Sequence, residues 1–368
     1  TLDLFHMQEE APGMVFWHER GWRIYQALTQ YMSELWRNHG YREIRTPQLV
    51  DRSLWEKSGH WQNFHADMFV TESEKKLFAV KPMNCPCHIQ VFNQGIKSYR
   101  DLPYRLAEFG SCHRNEASGA LHGLMRVRSF VQDDAHIFCT KEQMPGELDS
   151  LLTFVLNLLR DYGLNDFYLE LSTRNPEKSV GSDQDWEVAT ESLRQAAEKQ
   201  NLELILDPGG AAFYGPKISV QAKDAIGRTW QMSTIQVDFQ TPGRFEIEYQ
   251  SSDGNRAEPV MIHRALFGSI ERFFGVLTEH YAGAFPPWLA PVQVRAIPVA
   301  EALVPYLDEI VKKMTALGIR AEIDDSDDRM QKKIRNAQTE KIPFTVIAGG
   351  EDQDAGAVSF RYRNGEQK

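Results

Sequence analysis

Hydrophobic positions recur at helical spacing in the first 280 residues of the chain and predict four helices. The first covers residues 20–39, with Gly40 as a stop signal. A second runs through residues 148–159, and a third covers residues 186–199. A strongly apolar run from about Arg264 to His280 predicts the fourth.

Short runs between these helices alternate polar with apolar or aromatic residues, as strands with one face toward solvent or a ligand do. They cover residues 77–80, 167–171, 217–239 and 245–250. The strands do not alternate regularly with helices. The pattern therefore predicts a strand-rich sheet with interspersed helices rather than a parallel βαβ array.

A second domain is predicted after residues 285–291, where three prolines indicate a linker. Strands and helices of similar length then alternate, at residues 292–297, 302–317, 319–323, 329–339, 344–348 and 357–362. This alternation predicts a small α/β domain with a mixed sheet. We place the domains at 1–289 and 290–368, and expect the second to be truncated at its C-terminal end.

Composition and charge restrict the class of protein. A chain of 368 residues with 42% hydrophobic and 25% charged residues is typical of a two-domain globular protein. The net charge of −10 argues against a general polyanion-binding protein. Four cysteines do not suggest a disulfide framework, and no apolar run is long enough to span a bilayer, so we expect a cytoplasmic protein.

A dense group of charged and aromatic residues follows position 113. Arg114 and Glu116 are followed by Arg126, Phe130 and the run Gln132-Asp133-Asp134-Ala135-His136. Arginine binds phosphate through paired hydrogen bonds, and a flat ring four residues after Arg126 could cover a purine base. The residues alone predict either a nucleotide site or a surface loop of solvated charge.

A metal site is one interpretation of Cys85, His136 and His263. Thiolate and imidazole ligands suit zinc, and three of them leave an open position for a substrate. A rival interpretation is a structural cluster of Cys85, Cys87 and His88, closed by Cys112 or Cys139. A third is that each residue is an ordinary buried side chain, and spacing alone does not decide between the three.

Two further runs carry polar groups suited to a small ligand. Gly268 precedes an apolar helix with Arg272 on its first turn, which offers backbone room and charge for phosphate. A core helix with a surface arginine explains the same pattern. In the run 231–238, Gln231 and Ser233 alternate with apolar or small residues and predict a polar strand face, in a site or exposed to solvent.

Together these residues resemble the signature motifs of class II aminoacyl-tRNA synthetases. Arg114, Glu116 and Phe130 resemble the second motif of that family, and residues 268–272 resemble its third. The segment at Thr46-Pro47 resembles the first, dimer-forming motif.

Two runs are characteristic of the threonyl-tRNA synthetases within that family: His6 to Met14, and Lys-Pro-Met-Asn-Cys-Pro at 81–86. The resemblance implies an α+β catalytic domain with a mostly antiparallel sheet, then a small α/β anticodon-binding domain. It implies ATP-dependent formation of threonyl adenylate and transfer of threonine to the 3′ ribose of its tRNA. It also implies a homodimer that contacts no membrane.

Site residues follow from the same resemblance. It implies zinc held by Cys85, His136 and His263, with Mg²⁺ accompanying ATP. Threonine would contact Met83, Gln132, Asp134, Tyr214 and Gln231. ATP would contact Arg114, Glu116, Arg126, Phe130, Lys217, Thr234, Gln236, Gly268, Ser269 and Arg272. Arg114, Arg272 and His60 would act in catalysis, with His60 assisting proton removal from the tRNA ribose. The anticodon would contact Asp352, Arg361 and Arg363.

The chain departs from the family pattern in two respects. The position after Cys85-Pro86 is usually glycine and here is Cys87, which we expect to point away from the metal as a small buried side chain. The sequence begins at the expected catalytic domain, without the N-terminal editing domain that full-length members carry. We expect measurable misactivation of serine, because serine also has the hydroxyl that zinc requires. Two alternatives stay open: another synthetase of the same subclass, or a specialised or inhibitor-resistant paralogue.

Overall fold

A computed structural model describes residues 2–223 and 226–368. Its strands are β1 (Phe5–His6), β2 (Phe16–Trp17), β3 (Arg42–Glu43), β4 (Leu49–Asp51), β5 (Val70–Ser73), β6 (Lys76–Val80), β7 (Lys97–Ser98), β8 (Tyr104–His113), β9 (Ser129–Cys139), β10 (Phe167–Ser172), β11 (Leu204–Asp207), β12 (Lys217–Lys223), β13 (Thr229–Asp238), β14 (Tyr249–Gln250), β15 (Arg256–Ala257), β16 (Val260–Ser269), β17 (Val294–Pro298), β18 (Ala321–Ile323), β19 (Phe344–Ala348) and β20 (Ser359–Tyr362).

The α-helices are α1 (Glu19–Asn38), α2 (Arg52–Ser58), α3 (His60–Phe64), α4 (Cys85–Phe92), α5 (Met144–Asp161), α6 (Asp183–Glu198), α7 (Thr241–Arg244), α8 (Ile270–His280), α9 (Val304–Ala316), α10 (Met330–Thr339) and α11 (Gly350–Ala355). None of the helices in residues 2–223 and 226–368 is both long and apolar enough to cross a membrane.

Two compact units divide the chain. One comprises Glu9–Met14 and Met32–Gly275, and the other comprises the segment up to Gln8, Val15–Tyr31 and Val276–Lys368. The division into domains at 1–289 and 290–368 stays a prediction.

An eight-stranded sheet organises the larger unit, in the order β11-β10-β12-β13-β16-β9-β8-β3. The six strands from β10 to β8 pair antiparallel, whereas β11 and β3 pair parallel at the two edges. The predicted mostly antiparallel sheet is therefore confirmed.

Helix α5 packs against the central strands β13 and β16. Its apolar residues at helical spacing are fully or almost fully buried, as the sequence pattern predicts: Leu148, Leu151, Leu152, Val155 and Leu159. Pro145 lies in the first turn, where a missing backbone donor costs nothing. Helix α6 begins after Ser182, whose hydroxyl accepts a hydrogen bond from the Asp185 N–H at 3.1 Å.

The helix predicted from Arg264 is wrong in its first six residues. Residues 264–269 belong to strand β16, and helix α8 begins at Ile270. Strand β16 lies between β13 and β9, and Val260 to Phe267 are all buried. A strand buried on both faces forms a continuous apolar run that periodicity cannot separate from a buried helix. The strand predicted at 245–250 is also too long, since only Tyr249–Gln250 pairs.

A four-stranded sheet organises the smaller unit, in the order β18-β17-β19-β20. Strand β17 pairs parallel with β18 and β19, and β20 pairs antiparallel with β19. The predicted mixed sheet is confirmed. Its core gathers apolar side chains from the strands and α9: Val294, Ala296, Leu307, Val346 and Ala348.

Candidate active site

One face of the eight-stranded sheet carries most of the predicted site residues of the larger unit. Alternate residues of a strand point to the same face, so Gln132, Asp134 and His136 on β9 lie in a row. The register pairs His136 with His263 on β16, and His263 with Gln236 on β13. Residues far apart in sequence therefore meet because three strands align.

Close packing beside this row depends on Gly110, the residue of β8 opposite Gln132. A Cβ atom at position 110 would lie 2.2 Å from Asn84 Oδ1 and 2.3 Å from Asn84 Nδ2. The missing side chain makes room for Asn84, which is fully buried and donates from Nδ2 to Asp134 Oδ2 at 3.0 Å. Asn84 thus orients a predicted threonine contact from the residue that precedes α4.

A β-bulge alters the polar face predicted for residues 231–238. Val220 on β12 pairs with Ser233 while Gln221 pairs with Gln231, so Met232 is an extra residue. The bulge brings Gln231 onto the pocket-lining side with Thr234. Ser233 is buried instead and donates to the Leu266 carbonyl oxygen, so the prediction that it shares the ligand face with Gln231 is wrong.

The predicted metal ligands converge. Among the described residues, the ligand atoms of Cys85, His136 and His263 lie within 4.8 Å of one another, and all three residues are buried. The separation of His136 Nε2 and His263 Nδ1 is 3.1 Å. Two imidazole nitrogens on a tetrahedral zinc ion, each about 2.0–2.1 Å from the metal, lie roughly 3.3 Å apart.

Hydrogen bonds to the outer nitrogens direct both imidazoles inward. His263 Nε2 lies 2.8 Å from the buried carboxylate oxygen Asp238 Oδ2, which can only accept, so Nε2 carries the hydrogen and Nδ1 keeps its lone pair. His136 Nδ1 lies 2.7 Å from His88 Nδ1. With the hydrogen of that contact on His136 Nδ1, the lone pair of His136 Nε2 faces the lone pair of His263 Nδ1. Two such lone pairs repel unless a cation lies between them, so this donor set fits a bound metal.

Burial shifts the pKa values of Cys85 and His136 in the direction that favours the neutral form of each. It lowers the pKa of His136 well below its ordinary value, helped by His88 and His263. It raises the pKa of the Cys85 thiol well above its ordinary value, with Asp134 and Asp238 adding to the effect. Because the thiolate is the form that binds a metal, a cation bound to this sulfur would have to displace the proton.

The rival cluster of Cys85, Cys87 and His88 is not among the groups of metal-binding atoms that the described residues form. The Cys87 side chain instead forms a hydrogen bond with Thr46, and burial raises the pKa of its thiol. His88 bonds to His136 and Glu108.

Tyr214 and His60 lie beside the metal-binding group. The Tyr214 ring stacks on His263 with centroids 4.9 Å apart, and its hydroxyl donates to Gln236 Oε1 at 2.6 Å. His60 is buried, with Nδ1 2.7 Å from Ser58 Oγ. Burial and, secondarily, the nearby His263 lower the pKa of His60 to about 4, which keeps it neutral near pH 7.

A pocket with about 850 Å³ of empty volume adjoins this group on the same face. It contains ten of the fifteen residues predicted to contact ATP or threonine, together with apolar neighbours. Its lining is Arg114, Glu116, Met125, Arg126, Val127, Phe130, Gln132, Gln231, Met232, Thr234, Ala265, Gly268, Ser269 and Arg272.

Three guanidinium groups share this pocket and repel one another. Burial lowers the pKa of Arg272, and the charges of Arg126 and Arg114 lower it further. Glu116 offsets part of the charge through an ion pair with Arg126 Nη2 at 2.9 Å. Such a concentration of positive charge favours an anionic ligand with several oxygens.

Neighbouring groups hold these arginines in place. Arg114 donates from Nε to the Pro82 carbonyl oxygen at 3.2 Å and lies over the Phe130 ring, 5.1 Å from its centroid. Arg272 donates from Nε to the Met125 carbonyl oxygen at 3.0 Å. Gly268, near the end of β16, has φ = +69°, and a Cβ there would lie 2.8 Å from the Met232 carbonyl oxygen, so this position requires glycine.

Comparisons with known proteins agree with this geometry. Residues 69–281 match the family described as the tRNA synthetase class II core domain (G, H, P, S and T), and residues 293–368 match the anticodon binding domain. The RNA-binding domain of a threonyl-tRNA synthetase from Cryptosporidium parvum Iowa II superposes with a TM-score of 0.97 at 38% identity, over 100% of this chain and 92% of that one. The chain belongs to the class II tRNA synthetases, in their threonyl branch.

Two other relatives set the limits of that statement. A threonine–tRNA ligase of Thermobifida fusca (strain YX) is 60% identical over 369 residues, which cover 100% of this chain and 56% of that protein. The chain thus spans a little over half the length of this curated relative. A Giardia lamblia prolyl-tRNA synthetase has a TM-score of 0.77, over 100% of this chain and 72% of that one, but only 18% identity, which shows a shared fold alone.

Five residues predicted to contact ATP or threonine lie outside the pocket lining: Met83, Asp134, Tyr214, Lys217 and Gln236. Lys217 begins strand β12 and pairs with Gln236. Met83 is half-buried and packs against the apolar cluster that contains Cys85. Their roles toward ATP and threonine stay predictions.

The predicted anticodon residues lie in the smaller unit. Asp352 Oδ2 accepts from the Gly349 N–H at 2.7 Å, a bond at the start of α11. Arg361 lies on β20 opposite Thr345. Arg363 donates to the carbonyl oxygens of Ala284 and Phe285 at 3.0 and 2.8 Å, which gives it a structural role whether or not it also contacts RNA.

Sequence reasoning assigned no role to several residues that support the site. Asp238 is a buried carboxylate that bonds His263 of the metal-binding group, Glu108 is one that bonds His88 beside it, and Asn84 holds Asp134. Glu271 accepts from the Val131 N–H at 2.9 Å and from Ser269 Oγ at 3.0 Å, which fixes the turn before α8. A carboxylate within a mostly apolar strand, as at Glu108, is the signal that could have identified one of them.

Proposed function

We propose that the chain is the aminoacylation and anticodon-binding part of a cytoplasmic threonine–tRNA ligase. It activates L-threonine with ATP to threonyl adenylate and then transfers threonine to the 3′ ribose of its tRNA. The observation that supports this best is the single sheet face on which a cysteine–histidine group adjoins a pocket of three arginines. Membership of the threonyl branch supports the choice of amino acid.

Arg114 and Arg272 carry the activation step in this proposal. Their guanidinium groups offer paired N–H donors to the phosphates of ATP, which is expected to bind with Mg²⁺. Negative charge grows at the α-phosphate when the threonine carboxylate attacks it, and a fixed arginine stabilises that charge without reorganising. Arg126 would bind the terminal phosphates once its contact with Glu116 is exchanged for them.

The base and sugar would lie between Phe130 and the turn before α8. Phe130 and Arg272 offer a ring and a guanidinium plane for the adenine, and Glu116 a carboxylate for its amino group. Phe130 is partly covered by Arg114, so the adenine would share that ring with the guanidinium. Thr234, Gln236 and Ser269 would contact the ribose and adenylate, and Gly268 and Lys217 would complete the ATP contacts.

Threonine selection is assigned to the metal-binding group. Cys85, His136 and His263 would hold zinc, which supplies an open coordination position for an amine nitrogen and a hydroxyl oxygen. Valine lacks the hydroxyl, and a pocket that recognises shape alone separates such isosteres by only about a hundredfold. Asp134 and Tyr214 would hold the ammonium and side chain of threonine, with Gln132, Gln231 and Met83 completing the walls.

Transfer to tRNA would use His60 as the group that accepts the ribose hydroxyl proton. Its neutral form has a free lone pair for this purpose, although a pKa near 4 makes it a weak base. The smaller unit would bind the anticodon through Asp352, Arg361 and Arg363, and the larger unit would form a homodimer.

Amino-acid-dependent ATP–pyrophosphate exchange tests the proposal, with threonine, serine and valine compared before and after zinc chelation. Cys85→Ala should lose bound zinc and threonine-dependent exchange together. Cys87→Ala is the matched control, because it removes a buried thiol from the same helix without touching the metal-binding group, and it should retain both. Exchange that survives chelation or Cys85→Ala would contradict the zinc assignment, and exchange with another amino acid would contradict the substrate.

A further inference from the structure

A buried chain of hydrogen bonds connects Glu108 to the candidate ligand His136 through His88. Glu108 Oε2 lies 2.9 Å from His88 Nε2, and His88 Nδ1 lies 2.7 Å from His136 Nδ1. All three residues are at most 2% exposed. Water therefore has no access to these nitrogens, and each proton on the chain must lie between protein atoms.

The protons on this chain can be assigned from Glu108 outward. Its Oε1 accepts from the Thr46 N–H at 2.8 Å and from Lys81 Nζ at 3.2 Å, and its Oε2 accepts from Thr46 Oγ1 at 2.9 Å. Burial opposes ionisation, but the hydrogen bonds from His88 and Thr46 outweigh it and lower the pKa of Glu108 to about 2. Glu108 is thus an ionised acceptor, so His88 Nε2 carries a hydrogen.

The rest of the chain follows from that hydrogen. The 2.7 Å contact between His88 Nδ1 and His136 Nδ1 has room for one hydrogen. A metal held by His136 Nε2 requires that hydrogen to lie on His136 Nδ1, with the His88 Nδ1 lone pair as its acceptor. The lone pair of His136 is then on Nε2, which faces His263 Nδ1 and the metal-binding group.

We propose that Glu108 is a positioning residue that acts through His88 to keep the proton of His136 on Nδ1 and its Nε2 lone pair available to the metal. The inference rests on the zinc site proposed above. It adds a second carboxylate arm to the site, longer by one imidazole than the Asp238–His263 arm on the other side.

Glu108→Gln tests this directly, because it replaces one carboxylate oxygen by an amide NH2 group and so reverses the donors and acceptors along the hydrogen-bond chain. The Oε1 position receives donors from the Thr46 backbone and Lys81, so the amide oxygen is stable only there. The amide hydrogens then face Thr46 Oγ1 and His88 Nε2. His88 must shift its hydrogen to Nδ1, which moves the hydrogen of His136 to Nε2, where it points at the metal position.

The measurement is zinc retention by the purified chain against a chelator of known affinity, with the melting temperature recorded for each variant. We expect Glu108→Gln to weaken zinc binding roughly 10–100-fold, the range for lost partners of metal-bound histidines. His88→Asn should bind close to wild type, since Asn Oδ1 offers an acceptor near the position of His88 Nδ1. Glu147→Gln is the matched control, because Glu147 pairs with Arg105 on the same strand as Glu108 and does not contact the chain.

The outcomes distinguish a failure of the proposed zinc site from a failure of the role inferred for Glu108. A wild-type chain that holds no zinc overturns the zinc site and this inference with it. A wild-type chain that holds zinc, beside a Glu108→Gln variant that holds it equally well, overturns the inference alone. Should Glu108→Gln not fold, His88→Asn and His88→Leu replace it: strong binding by the first and weak binding by the second supports the inference, and equal binding overturns it.

A second readout does not depend on zinc or on activity. The ¹⁵N chemical shifts of the His136 ring distinguish a hydrogen on Nδ1 from one on Nε2. We expect the Nδ1–H form in wild type and His88→Asn, and the Nε2–H form in Glu108→Gln. An unchanged His136 tautomer in Glu108→Gln would contradict the proposed direction of the chain.

Discussion

Gly110→Ala should disrupt the threonine side of the site through Asn84, without touching a residue that contacts substrate in our proposal. The added Cβ would lie 2.2–2.4 Å from the Asn84 amide atoms, far inside any real contact. Asn84 is fully buried at the start of α4 and has no solvent to move into. Either Asn84 leaves Asp134 or the strand bearing position 110 moves away from α4.

The expected cost has two parts. Overpacking of a buried site by one methyl group costs about 1–3 kcal/mol, and a lost hydrogen bond to a charged group about 1.5–3 kcal/mol, of which the structure recovers some on relaxation. We expect a net loss of about 2 kcal/mol, which lowers the Tm of a unit of this size by roughly 4–8 °C. The KM for threonine should rise while the KM for ATP changes little, because Asn84 bonds Asp134 and does not line the arginine pocket.

A double-mutant cycle with Asn84→Ala separates the clash from general damage. Asn84→Ala alone should weaken threonine binding and leave a small cavity, which the methyl group at position 110 would partly fill. The double variant should therefore be more stable than the sum of the two changes predicts, by about 1–2 kcal/mol, while its KM for threonine stays high. Additive losses of stability, or a double variant no more stable than Gly110→Ala, would refute the packing argument.

Four further predictions follow from other parts of the chain. Arg114→Ala should lower kcat for threonine-dependent exchange by about 10²–10³-fold with little change in Tm, and a smaller loss would argue against stabilisation of the α-phosphate. Burial raises the pKa of Glu271 to about 7, so the folded state loses stability as the pH rises from the unfolded-state pKa near 4.5 toward 7. Glu271→Gln should therefore gain stability relative to wild type over that pH interval, as measured by unfolding at several pH values. A stability difference that does not change with pH would contradict this. Arg363→Ala should lower the Tm of the smaller unit in calorimetry, because it removes donors to two carbonyl groups. Arg361→Ala should leave the Tm unchanged and weaken tRNA binding in a filter-binding assay. Serine should support measurable exchange because zinc accepts its hydroxyl, and an undetectable serine rate beside a robust threonine rate would exclude this.

Local patterns in the sequence predict those features that depend on neighbours along the chain. Helix α5 follows from apolar residues at helical spacing, and the mixed sheet of the smaller unit from alternating strands and helices. The error at Arg264 has the same origin, since a fully buried strand and a buried helix look alike over ten residues. The prediction that Gln231 and Ser233 share one face of β13 is wrong, because a bulge at Met232 reverses the alternation of faces. The local composition gives no sign of that bulge.

Features that depend on strand register could not be derived from the residues alone. Cys85, His136 and His263 are distant in sequence, and only their resemblance to a family placed them together. The supporting residues Glu108 and Gly110 belong to no motif that the sequence reasoning used. Their importance appears only when β8 is aligned with β9, so that Glu108 faces Asp134 and Gly110 faces Gln132.

Strand β9 connects the two halves of the proposed reaction. Phe130 lines the arginine pocket, His136 belongs to the metal-binding group, and Gln132 and Asp134 lie between them on the same face. Phe130 and His136 are six positions apart, which on a strand is about 20 Å. In our proposal the register of this one strand would set where the carboxylate of threonine meets the α-phosphate. A slip of one residue would turn this whole row to the opposite face. The two strands that pair with β9 over most of its length, β8 and β16, would therefore determine the geometry of the proposed reaction as much as the residues proposed to contact substrate.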